Sequence, residues 1–162
     1  MNRPNLEAKG FHGFLTISEL AQGRTHEVPQ EPGVYAVLRQ GTDKPLFLPR
    51  NPGGHFKGND PTVPISLLEE RWVHGTELLY FGKADKLKRR IHQLCRFGKG
   101  EPVGHWGGRL LWQMEGSMEF LVGWLPTPND DPFTVEGALI DEFHDRFGSF
   151  PLANIQRQRK GT

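Results

Sequence analysis

The apolar run "TELLYFG", Thr76 to Gly82, passes almost at once into "DKLKRRIHQLCRFG", whose Leu87, Ile91 and Leu94 recur at helical spacing. A strand that hands over to a helix with one apolar face obliges the helix to pack back on the sheet. The chain must therefore be layered. Asp85 is expected as the N-cap of this helix and Gly98 as its end. A second β-rich run, "EPGVYAVLR", follows a Pro-Gly turn, with Val34, Ala36 and Leu38 alternating with Tyr35 and Val37.

Other segments extend the pattern. "TISELAQG" has Thr16 and Glu19 at capping-box spacing and Gly23 where a short helix would stop. "ISLLEERW" predicts another helix, and "DPFTVEGALIDEFHDRFG" predicts a longer one, with Asp131 at the cap, Pro132 in the first position and Gly148 at the end. "RLLWQM" and "MEFLVGWL" are expected to be two further strands that pair. Between Gln40 and Gly75 prolines and glycines are dense, as in a structured loop. Helices mixed with a few strands, one apparent hairpin among them, predict an α+β fold with a small central, mainly antiparallel sheet flanked by helices.

A chain of 162 residues suits one domain with a single core. The one cysteine, Cys95, excludes an internal disulfide and a zinc site built on several thiolates, so a reduced compartment is expected. No apolar stretch reaches the roughly 20 residues that span a bilayer, and "MNRPNLEAKGFHGF" lacks the apolar core of a secretory signal. The expectation is a soluble, cytoplasmic protein with no membrane partner. There is neither a G-x-G-x-x-G after the first strand nor a G-x-x-x-x-G-K-[ST], which argues against a nucleotide-cofactor enzyme.

The net charge of +1 hides an asymmetry. Lys83, Lys86, Lys88, Arg89, Arg90, Arg96 and Lys99 face only Asp85 in their segment, and Arg157, Arg159 and Lys160 end the chain. Acid gathers at Asp130, Asp131, Glu136, Asp141, Glu142 and Asp145. The basic run is either a phosphate-binding surface or a solvated helix face. Arg90 borders the packed face of its helix, where its fork of donors could meet a phosphate or its stem could cover apolar surface. Glu136 shares a stripe with Leu139, Ile140 and Phe143, so its carboxylate is directed toward the core side and calls for a partner. A divalent metal would serve, since magnesium accepts one or two carboxylates and keeps several waters. The helix dipole alone also favours a glutamate there. Tyr35 and Tyr80 are either working phenols or ordinary sheet aromatics.

"GVY" at Gly33 to Tyr35 and "YFG" at Tyr80 to Gly82 resemble the paired signatures of the GIY-YIG nuclease family. "KADKLKRRI" is similar to that family's K-A-x-x-L-x-x-R-[LI] pattern and puts the helix arginine at Arg90. "VEGALIDEF" resembles the helix with the metal-binding glutamate, at Glu136, and "PLAN" ends on Asn154, where many members have an asparagine. The resemblance implies a GIY-YIG-like domain over 1–162: an N-terminal extension with a short helix over 1–30, an insertion over 40–77 between the first two motif strands, and a basic tail over 155–162. It implies a divalent-metal-dependent endonuclease acting on DNA, with magnesium, or manganese in its place, held by Glu136. Tyr35, with Tyr80, would receive or position the proton of the attacking water, and Arg90 would stabilise the phosphoryl oxygens. Lys83, Lys88, Arg89, Arg109 and Asn154 are the expected nucleic-acid contacts, and RNA is not excluded.

The chain departs from the family at one polar position. Members carry tyrosine or histidine four residues past the helix arginine, where this sequence has Leu94. His92 is almost opposite Arg90 on the helix, so it is no direct substitute. His105, in "GHWGGRLLWQ", is the alternative candidate, and a histidine hydrogen-bonded in a glycine-rich turn is the plainer reading of it. Leu94 also keeps open a second function, a nucleic-acid-binding module of the same fold that does not cleave.

Overall fold

Successive side chains of Gly33–Leu38 point to opposite faces and all are buried, so this strand must be covered on both sides. A computed structural model of the chain describes residues 1–155 and shows how. The elements are α1 (Arg3–Ala8), β1 (His12–Thr16), α2 (Ile17–Ala21), β2 (Gly33–Leu38), α3 (Ile65–Arg71), β3 (Leu78–Ala84), α4 (Leu87–Gly98), β4 (Leu121–Pro126) and α5 (Pro132–Phe147). The strands make one four-stranded sheet in the order β1-β4-β2-β3, with antiparallel pairing throughout. The fold is α+β.

Register assigns the faces. Tyr35 lies opposite Gly82 on one side and Trp124 on the other, and Val37 lies opposite Tyr80 and Val122. Opposed residues share a face, and this one receives Leu87, Ile91 and Leu94 of α4. Each of these three is fully buried, which stabilises the layer by about 1.5–3 kcal/mol apiece. Val34, Ala36 and Phe81 face the other way, against Leu139, Ile140 and Phe143 of α5 and Leu6 of α1. Two apolar layers thus sandwich β2.

The predicted caps of two helices are present. Thr16 and Glu19 form a reciprocal capping box at α2. Asp131 caps α5, which begins at Pro132 and ends before Gly148 in the left-handed conformation. Asp85 is not the cap of α4. That helix starts at Leu87, and its first amides, of Leu87 and Lys88, donate to the Glu31 and Pro29 carbonyls in the approach to β2. Backbone from elsewhere in the chain has replaced a local side chain.

"RLLWQM" is not a strand. Trp106–Gln113 winds as a 3-10 helix, and only Met114 makes an isolated bridge, to Phe47. Leu110, Leu111 and Trp112 are all buried, and a continuous apolar run of this length does not distinguish strand from helix. The sheet partners of β4 are β2 and β1. The N-terminal segment accordingly holds more than a short helix: α1 precedes an edge strand whose bulge lies between Gly13 and Leu15.

The 40–77 connection between β2 and β3 is fastened to the 3-10 segment by side-chain amides. Gln113 accepts from the Val63 amide at 3.0 Å and donates to the Leu48 and Val63 carbonyls at 2.9 and 2.8 Å. Asn51 donates to the Arg109 carbonyl at 2.7 Å. From α3, Arg71 donates to the Leu152 and Asn154 carbonyls at 2.7 and 2.8 Å and holds the end of the described chain. The basic tail expected from 155 lies outside the described residues except for Ile155. Among the described residues no helix is long and apolar enough to cross a membrane.

Candidate active site

β3 is the edge of the sheet, and that position decides what can meet there. Side chains from the α4 layer and from the α5 layer can reach around this edge toward one another. They do so in a cleft of about 390 Å³ lined by Tyr80, Lys83, Arg90, Arg109, Glu136 and Asn154, among others. Six residues singled out in the sequence therefore share one hollow, although α4 and α5 cover opposite faces of the sheet.

Tyr80 is the phenol at the cleft wall. Tyr35 is completely buried behind it, its ring centroid 6.0 Å from that of Tyr80. His105 closes the triangle, with centroid distances of 6.1 Å to each tyrosine. Its Nε2 lies 2.6 Å from the Tyr35 hydroxyl. One hydrogen is shared across this contact, supplied by either the phenol or the ring nitrogen. The other ring nitrogen, Nδ1, is buried and has no hydrogen-bond partner among the described residues. Leu94 is buried in the core, and it is His105, from the glycine-rich turn, that brings a ring nitrogen to the phenol.

Backbone geometry makes room for this cluster. A side chain at position 82 would begin 2.2 Å from the Tyr35 ring, so only glycine lets that ring lie flat across β3. Gly108 does the same for His105, whose ring would stand 2.6 Å from an added Cβ.

Burial dominates the electrostatics. It pushes the Tyr35 phenol up to about 12, against the pull of the Arg90 guanidinium, and it raises Tyr80 well above its ordinary value. It lowers His105 to about 3, and Arg90 acts in the same direction. Desolvation also raises the Glu136 carboxyl, while Lys83 and then Arg90 oppose it. Arg90 is the cation common to all four groups. It is held in place by donating to the Gly104 carbonyl and to Gln93 Oε1, the latter at 3.1 Å.

Glu136 is buried in the second turn of α5, past the first-turn position where the helix dipole would favour it, with Lys83 Nζ at 3.9 Å as its ion-pair partner. Lys83 also stands 5.3 Å from the centre of the Phe133 ring. Among the described residues there is no group of three or more acidic, histidine or cysteine side chains that could cage an ion. A lone buried carboxylate in an open cleft fits a cation that keeps most of its waters or takes phosphate oxygens, as magnesium does. It does not fit a structural metal.

Asn154 reaches the cleft, but its amide is engaged with the sheet. It accepts from the Phe81 amide at 2.9 Å and donates to the Phe81 carbonyl at 2.8 Å, pairing with β3 as a further strand residue would. Lys88 and Arg89 lie farther round α4, beside Thr25, Gln30 and His92 in a separate depression. Arg89 also borders a hollow next to Arg90 and Gln93. Sequence reasoning passed over Trp106 and Gly107, which line the cleft. The available signal was an aromatic ring between His105 and a glycine pair, just ahead of Arg109. Comparison of the chain with protein-family models, with curated proteins and with solved structures found no match in any of the three.

Proposed function

We propose that the chain is a divalent-metal-dependent endonuclease of the GIY-YIG type, hydrolysing phosphodiester bonds of DNA in the cytoplasm. The observation that carries this reading is the meeting of Tyr80, Arg90 and Glu136 around the β3 edge in one cleft. A phosphate there would lie against a guanidinium whose position is already fixed by Gly104 and Gln93. Charge developing on the phosphoryl oxygens would be met without reorganisation, the condition under which electrostatic stabilisation is strongest. Glu136 would hold magnesium or manganese, which when bound supplies a Lewis acid for the phosphoryl group and for the departing oxygen. Lys83 neutralises Glu136 while that carboxylate is unliganded.

Tyr80 is the phenol placed to orient the attacking water. Tyr35 and His105 stand behind it as a hydrogen-bonded support. A phenol raised by burial is protonated at neutral pH, so Tyr80 orients the water with its hydroxyl, and to receive the water's proton it would first have to release its own to solvent, which Arg90 and a bound cation would favour. Complete burial of Tyr35 and His105 favours one competing reading, a nucleic-acid-binding module that does not cleave.

The test is incubation of the protein with labelled duplex DNA, single-stranded DNA and RNA, each with magnesium or with chelator. Glu136→Ala is run alongside. Metal-dependent cleavage that falls by roughly 100-fold or more in the variant, with binding retained, supports the nuclease. Binding without cleavage under every condition supports the module.

A further inference from the structure

Trp106 and Arg109 are three residues apart in a 3-10 helix, where side chains at that spacing stand in line. The Arg109 guanidinium lies over the Trp106 ring, 4.5 Å from its centre, and donates to the Trp106 carbonyl at 3.1 Å. The opposite support comes from Phe97, which meets the indole edge-on at 6.4 Å. Both Trp106 and Arg109 line the same cleft as Tyr80, Arg90 and Glu136. Burial lowers the Arg109 pKa, and among the described residues no carboxylate pairs with this guanidinium.

A half-buried planar cation without a carboxylate, held over an indole, can meet a flat π-bearing ligand as well as an anion. The end of the cleft near Arg90 and Glu136 has the groups a phosphate needs. The other end offers a plane. Gly107 lines the cleft with them, and a Cβ added there would touch the Tyr80 hydroxyl at 3.6 Å, so the glycine keeps a side chain out of the space beside the phenol. A nucleotide within a strand joins a phosphate to a flat ring.

We propose that Arg109 and Trp106 form a stacking platform for one unstacked nucleobase of the strand whose phosphate occupies the cleft. The inference rests on the nucleic-acid reading given above and adds a substrate preference to it. Bases inside an intact duplex cannot reach a plane set in a wall of the cleft, so single-stranded or locally unpaired DNA is the preferred substrate. The platform accepts any base, because every base has a π-face.

The experiment uses the full chain carrying Glu136→Ala and measures anisotropy with a labelled dT12 strand and with a chain of the same length made of abasic residues. The phosphates are identical in the two probes. The parent is expected to bind dT12 roughly 10-fold more tightly than the abasic chain. Trp106→Leu and Arg109→Lys should each bring the ratio of the two affinities close to 1, whatever either does to binding of the phosphates, since Arg109→Lys keeps the charge and removes the plane. Thermal midpoints check that both variants remain folded. Equal binding of the two probes by the parent overturns the platform, as does a base preference that survives in Arg109→Lys. If either result accompanies metal-dependent cleavage by the unmodified chain, the nuclease reading stands without the platform. Failure to bind either probe overturns the platform, and it overturns the nuclease reading as well when the unmodified chain also leaves duplex DNA uncut.

Discussion

Gly82→Ala tests the geometry on which the site depends. An alanine Cβ at this position would lie 2.2 Å from Tyr35 Cζ and 2.4 Å from its hydroxyl oxygen. Ordinary contact needs well over 3 Å, so the ring would have to move by more than about 1 Å. It has nowhere to go, because Tyr35 is fully buried between Tyr80, His105 and β3. Overpacking of a filled core costs about 1–3 kcal/mol. Loss of the buried Tyr35–His105 hydrogen bond adds about 1–3 kcal/mol. Alanine returns about 0.5–1 kcal/mol through the backbone. The expected net destabilisation is roughly 1–5 kcal/mol, readable as a shift of the urea midpoint by about 0.5–2.5 M at an m-value of about 2 kcal/mol/M. Gly137→Ala is the control, since nothing lies within 4 Å of an added Cβ there, and it should stabilise α5 by up to about 1 kcal/mol. The double variant Gly82→Ala/Tyr35→Ala removes the collision, so the cost of Gly82→Ala should largely vanish in that background. A cost that persists without the Tyr35 ring, or a Gly82→Ala protein as stable as the parent, would refute the packing argument.

Two further outcomes follow from the same structure. Burial lowers His105 from 6.5 to about 3, so the unfolded chain takes up a proton at a pH where the folded chain does not. Its contribution to stability is therefore complete above pH 6.5 and lost toward about 3, at about 1.4 kcal/mol per unit, and His105→Gln should flatten that slope in urea titrations between about pH 7 and 5. An unchanged slope would mean that the imidazole is not buried as a neutral group. Gln113→Leu removes three of the bonds that tie the 40–77 connection to the 3-10 segment, and exchange of the Val63 amide should accelerate while that of Phe81, held by Asn154, stays slow. Equal acceleration at both amides would show that the connection and the sheet open together.

The chain determines much of its local structure without help. The alternation of β2, the apolar stripe of α4 and the caps of α2 and α5 are legible because each depends on residues within a few positions of one another. What sequence reading mistook shares the opposite property. α4 is capped by carbonyls of Pro29 and Glu31, more than fifty positions upstream, and no local pattern announces them. β1 carries a bulge at Phe14 and is a strand only because β4 lies beside it. Trp106–Gln113 coils because Asn51 and Gln113 fasten it to a connection whose course the sequence leaves open. The chemistry divides in the same way. Residue types and intervals picked out Tyr35, Tyr80, Arg90 and Glu136, since a phenol, a guanidinium and a carboxylate are recognisable wherever they occur. Only the tertiary fold decided that Tyr80 stands at the cleft wall and Tyr35 behind it, and that Asn154 pairs with β3. The physical reason is that burial and pairing depend on which strand forms the sheet edge, and strand order is settled by contacts distant in sequence.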